Sequence, residues 1–213
     1  MRQAVGLMAL LVFTAAPAAL AAVPDLQEDR LATGPYSRMH MLLEKTVFAV
    51  DVLTVEVRFD SATQGRFRTL AQQHGDSEAF MGRMAEAAVH ADEVFIRLEF
   101  KRDVALNRWV AAVRESLEKA RHAGIIDEST FRHVSDNLPV WFHGIADRGF
   151  RYGDQILYRG YPDRLRTVLV TAEGKVLLDQ TDAGTAPRLA LLGGYFAPGT
   201  DFREPLIRSL LQS

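Results

Sequence analysis

The run Thr46–Phe59 constrains the fold of this chain more than any other stretch. One parity carries Val47, Ala49, Asp51, Leu53, Val55, Val57 and Phe59, the other Thr46, Phe48, Val50, Val52, Thr54, Glu56 and Arg58. The first half is apolar on both parities and the second half alternates. That pattern predicts a strand buried on both faces early and half-exposed late. Such a strand requires neighbours beside it and another layer over its apolar face.

The other elements fit that demand. Val94, Ile96, Leu98 and Phe100 alternate with Arg97, Glu99 and Lys101, which predicts a second strand. Helical composition marks Ser61–His74 and Ser77–Ala91, with Ser77 as a cap and Gly75-Asp76 between them. Between Val104 and His122, apolar positions from Leu106 to Ala120 recur at three-and-four spacing, the single buried stripe of a helix, with Glu115 and Lys119 one turn apart on the wet side. Asp127 caps a further helix predicted to run to Asn137. A strand over Gln155–Arg159 precedes a hairpin, Arg164–Thr171 and Lys175–Gln180 around Ala172-Glu173-Gly174, with Leu165, Thr167 and Leu169 inward opposite Val176 and Leu178. Two short helices, Pro187–Leu192 and Phe202–Leu211, close the chain. Strands and helices do not alternate regularly, so the fold class is α+β: an antiparallel sheet with helices on one side, leaving room beneath them for a ligand.

The start of the chain reads as an address. Met1-Arg2-Gln3, an apolar stretch and Ala19-Leu20-Ala21 have the form of a secretory signal peptide over residues 1–22. An uncleaved anchor reaching Val23 is the alternative. Residues 23–36, with Pro24, Gly34 and Pro35, read as a flexible lead-in, and residues 37–213 as one domain. The chain has no cysteine, which excludes disulfides and a lipid-modified cysteine. A net charge of -2 argues against nucleic acid as a partner. A periplasmic or secreted monomer without stable membrane insertion is expected.

Little in the chain looks catalytic. The six histidines include no pair at metal-binding helical spacing, so a dedicated zinc site is not expected. There is no G-x-S-x-G elbow, and Gly193-Gly194 runs into Tyr195-Phe196 rather than a phosphate-loop lysine. The suggestive group is Arg38, which precedes the apolar strand and carries a donor fork that matches a carboxylate; a surface arginine ahead of a strand looks the same. Asp51 suits a general base or a strand-end carboxylate satisfied by its neighbours. Trp109 and Ser116 lie two helical turns apart on one side, as core and back-bonded hydroxyl or as cleft lining.

The stretches Ser37–Val57, Val94–Gly124, Leu191–Phe196 and Phe202–Leu211, with Met41-Leu42-Leu43-Glu44-Lys45-Thr46 and Leu138-Pro139-x-Trp141-Phe142, resemble the chalcone isomerase-like family in its bacterial secreted branch. The resemblance implies an open-faced β-sandwich with a ligand cleft between sheet and helices. It places Arg38 where the plant enzymes steady the substrate's negative charge. Trp109 and Ser116 fall where those enzymes have a tyrosine and an asparagine, Val50 at a threonine, and Ala190 at a serine or threonine. Catalysis needs donors aimed at the developing charge, and these positions have lost them. The resemblance therefore implies a non-catalytic binder of a fatty acid or similar amphipathic anion, with no cofactor. Arg38 would hold the head, and Phe48, Val50, Trp109 and Val113 the tail, beside Ser116. The alternatives are an isomerase or lyase acting on a conjugated carbonyl, with His40 or Asp51 carrying a proton, and haem binding.

Overall fold

The computed structural model describes residues 26–44, 51–73 and 77–212. Six strands form one antiparallel sheet in chain order: β1 (Arg38–Glu44), β2 (Asp51–Phe59), β3 (Val94–Phe100), β4 (Gln155–Tyr161), β5 (Arg164–Val170) and β6 (Val176–Ala183). Helices α1 (Ser61–Ala71) and α2 (Glu78–Val89) join β2 to β3. Helices α3 (Leu106–His122) and α4 (Glu128–Trp141) join β3 to β4, and α5 (Ala186–Phe196) and α6 (Arg203–Leu211) follow β6. The class is α+β, an open sheet with helices packed on it, as the sequence predicts.

Alternation puts Met39, Val57, Ile96 and Ile156 on the helix side, where they are fully buried in the main core. In the helical layer α5 touches α2, α3 and α4, while α6 lies along β1. The backbone N–H of His40, on edge strand β1, donates to Ser209 Oγ of α6 at 2.8 Å, which occupies a group that would otherwise invite another strand. Close approach of α3 and α5 depends on Gly193: a Cβ there would sit 2.9 Å from Ala120 Cβ and 3.1 Å from Ile125 Cγ2.

The opposite face carries a smaller cluster, Phe95, Leu157, Val168 and Val170, capped by Leu26 and Leu31. Fully buried Arg159 donates to the Leu26 carbonyl at 3.0 Å and pairs with Glu93. The Ala32 N–H donates to the Phe59 carbonyl at 2.9 Å. Residues 26–36, expected to be flexible, thus form a packed strap on the sheet.

Several elements differ from expectation for identifiable reasons. Strand β1 was not predicted, although Met39, Met41 and Leu43 alternate with Arg38, His40 and Leu42. Helix α4 does not stop at Asn137 but continues through Pro139 to Trp141. Proline lacks the N–H that would reach the Ser135 carbonyl, and Arg114 of α3 fills the gap, donating from Nε at 3.1 Å and Nη2 at 2.8 Å. Helix α5 runs past Gly193-Gly194, because packing against α3 outweighs their low propensity. Val176 lies on the outer face: a register shift at Leu169/Val170 pairs it with Val170.

Candidate functional site

Between the inner sheet face and helices α3, α4 and α5 lies a cavity of about 580 Å³, within the range of small-molecule sites. Leu53, Leu98 and Phe100 contribute to its apolar floor, Trp109 and Val113 to one wall, and Ala190 and Tyr195 to the side formed by α5.

Trp109, Val113, Ser116 and Ala190, taken from the sequence as cleft positions, all line this cavity. Trp109 is also core: its ring lies 4.6 Å from Phe142 and 5.1 Å from Phe150, and it is 7% exposed. The Ser116 hydroxyl donates back to the Ala112 carbonyl at 3.2 Å. Phe48 and Val50 lie outside the described residues, as does the expected signal peptide. Asp51 opens β2, and its side chain is outside the described ones.

Arg38 is the correction. It is exposed and is not part of the cavity wall. The pleat dictates this: with Met39 and Leu43 turned toward the helices, Arg38 and His40 must turn away. Arg38 stands opposite Arg58, whose guanidinium pairs with Glu28 of the strap at 3.0 Å. His40 is likewise exposed and apart from the cavity.

The cavity has other cations, which the sequence reading missed. Arg102 and Arg108 line it at the end where β3 passes into α3, are exposed, and form no ion pair among the described residues. Asp103 shares that end, but Arg151 at 2.6 Å and the Tyr152 N–H at 3.0 Å occupy its carboxylate. Hydrogen bonding from Arg151 holds the Asp103 carboxyl below its usual range. Helix α3 has Ala105 at its N-cap, with no side-chain cap and no acidic residue in its first turn, so its free N–H groups add positive potential where Arg102 and Arg108 stand. One signal was available: Arg108 sits in the first turn of a helix, where a cation opposes the helix dipole.

A polar row interrupts the floor. Tyr158 of β4 pairs with Thr167 of β5, which pairs with Gln180 of β6, so the three side chains stand abreast on the cavity side. Gln180 Nε2 donates to both Asp182 oxygens, at 2.8 and 3.0 Å. Tyr195 joins them from α5. Burial pushes the Tyr158 hydroxyl well above its ordinary pKa; burial, and then the nearness of Tyr158, do the same for Tyr195. Both phenols stay protonated donors across the physiological range.

Fold and site together define an α+β protein whose open-faced antiparallel sheet and helical roof enclose a mainly apolar chamber. The structure is similar to the crystal structure of a fatty-acid binding protein of Arabidopsis thaliana, with a TM-score of 0.51 and 13% identity over 84% of this chain and 88% of that one. That likeness is one of fold, an open antiparallel sheet under a layer of helices, which is the architecture the chain's own motifs imply. No family model matches the chain, and no curated protein matches it. Among the described residues no helix is long and apolar enough to cross a membrane.

Proposed function

We propose that the protein binds a fatty acid or similar amphipathic anion, without catalysis, in the chamber between sheet and helices. The observation that carries this reading is a largely apolar cavity of about 580 Å³ with two arginines, free of ion pairs among the described residues, at one end. A carboxylate sits against Arg102, Arg108 and the start of α3, and the tail runs inward past Phe100, Trp109 and Val113. The fold likeness supports membership in the chalcone isomerase-like family, and the neighbour's fatty-acid binding supports the ligand class. The signal-peptide pattern supports action outside the cytoplasm; expression of the full chain in an exporting bacterium should yield protein whose intact mass lacks residues 1–22.

Tail burial contributes about 0.8 kcal/mol per methylene, so a chain of about ten outweighs a charge-assisted head-group contact of roughly 1.5–3 kcal/mol. Both arginines are exposed, and solvent screening puts their share at the low end. Displacement of a fluorescent fatty acid by palmitate should therefore be saturable. It should weaken roughly tenfold in Arg102→Ala/Arg108→Ala and stay unchanged in Arg38→Ala. No saturable displacement, or turnover of a chalcone or related enone, overturns the reading.

A further inference from the structure

Around Tyr158, Thr167 and Tyr195 the chamber holds more polar capacity than a plain hydrocarbon tail uses. Tyr158, Thr167 and Tyr195 are each at least nine-tenths buried, and all three line the cavity. None of the three hydroxyls has a hydrogen-bond partner among the described residues, and none is sealed into the core: each opens on the cavity. They come from three separate elements, β4, β5 and α5, and converge on one place. Covered by a hydrocarbon chain, each such hydroxyl would be left unpaired at a cost of roughly 1–3 kcal/mol, and a chamber shaped only for methylene groups would carry phenylalanine and valine there. The orphan donors therefore point to an acceptor that arrives with the ligand.

Two rulers place them relative to the arginines. Tyr158 pairs with Ile96, and β3 runs four residues further to Phe100, just before Arg102. Four extended residues span roughly 13 Å. On the roof, Arg108 and Ser116 are eight helical residues apart, roughly 12 Å. Ser116 lies against Gly194, next to Tyr195: a Cβ on Gly194 would be 3.9 Å from Ser116 Cβ. Four residues of extended backbone contain about twelve main-chain bonds, so an extended alkyl chain of about that many bonds covers the same distance.

We propose that the ligand is an oxygenated acyl chain, carrying a carbonyl or hydroxyl oxygen about ten to twelve carbons from its carboxylate, which Tyr158, Tyr195 and Thr167 receive. This rests on the binding reading above and deepens it. The chamber reads its ligand at two points, charge at the arginine end and an acceptor oxygen at the tyrosine end. A plain chain of equal length fills the same space but leaves three donors unpaired.

The test is competition for a bound fluorescent fatty acid by stearate, 12-oxostearate and 2-hydroxystearate, against wild type and Tyr158→Phe/Tyr195→Phe. The proposal expects 12-oxostearate to displace the probe roughly tenfold more tightly than stearate, and 2-hydroxystearate, with its oxygen near the head, to show no such gain. In the double variant the gain disappears while stearate binds as well as before or better; retained stearate binding also reports that the variant is folded. Thr167→Val removes part of the gain and serves if the double variant does not fold. Equal affinity of wild type for stearate and 12-oxostearate overturns the proposal, as does a gain that survives loss of both phenols. In either case stearate still binds and the fatty-acid reading stands; if none of the three competes, that reading fails as well.

Discussion

At the scale of single residues, parity and proximity decide what a side chain can do. Arg38 begins a strand and looks suited to an anion, yet one step of the pleat turns it from the cavity. Alternation through Met39, Met41 and Leu43 is visible in the sequence and already holds that answer, provided the run is a strand of its own and not a lead into the next. Trp109, Val113 and Ser116 were legible because an amphipathic helix fixes which side is buried. Arg102 and Arg108 were not, since their role depends on where β3 meets α3. Two helical glycines give a residue-scale test. Gly65 in α1 has nothing within 4 Å of a would-be Cβ, so Gly65→Ala should raise stability by up to about 1 kcal/mol. Gly193 faces Ala120 Cβ at 2.9 Å, and overpacking there outweighs the helix gain. Gly193→Val should lose about 2 kcal/mol, both changes being read by urea unfolding.

Among the elements, α3 and α4 are held together through a defect. Pro139 removes one backbone donor from α4, and Arg114 supplies a side-chain donor to the stranded Ser135 carbonyl. Sequence alone argued for a helix ending near Asn137, because a proline ordinarily marks a boundary. The compensating arginine lies 21 positions before Ser135, on another helix, and no local pattern reveals it. Arg114→Ala should cost about 1–2 kcal/mol, the penalty of an unpaired carbonyl. In a Pro139→Ala background the restored N–H bonds Ser135 directly, so the same change should cost about 1 kcal/mol less. Chemical denaturation of the four proteins in this cycle measures the difference; strict additivity would refute the link. Hairpin β5–β6 was recognisable from its turn, whereas the register shift that moves Val176 to the outer face was not.

Over the whole molecule, the sheet separates two environments. The inner face supports the chamber; the outer face carries the strap of residues 26–36 over Phe95, Leu157 and Val168. The α+β class and sheet-plus-roof layout followed from periodicity, because each face of each element is set by local alternation. The strap did not, because its polar composition hides two leucines that find their partners only once four strands are aligned. Leu26→Ala/Leu31→Ala should lower stability by roughly 2–5 kcal/mol and leave palmitate displacement unchanged, as followed by thermal unfolding and titration; a large loss of affinity would mean that the two faces are coupled.

Chain neighbours are also sheet neighbours from β1 to β6, and each roof helix belongs to an excursion that leaves the sheet and returns to the adjoining strand or follows the last one. Lengthening or trimming such an excursion costs little closure entropy and disturbs no strand pairing. The ceiling can therefore be recut while the floor keeps its shape, which makes this architecture receptive to new cargo through changes in its overhead spans alone.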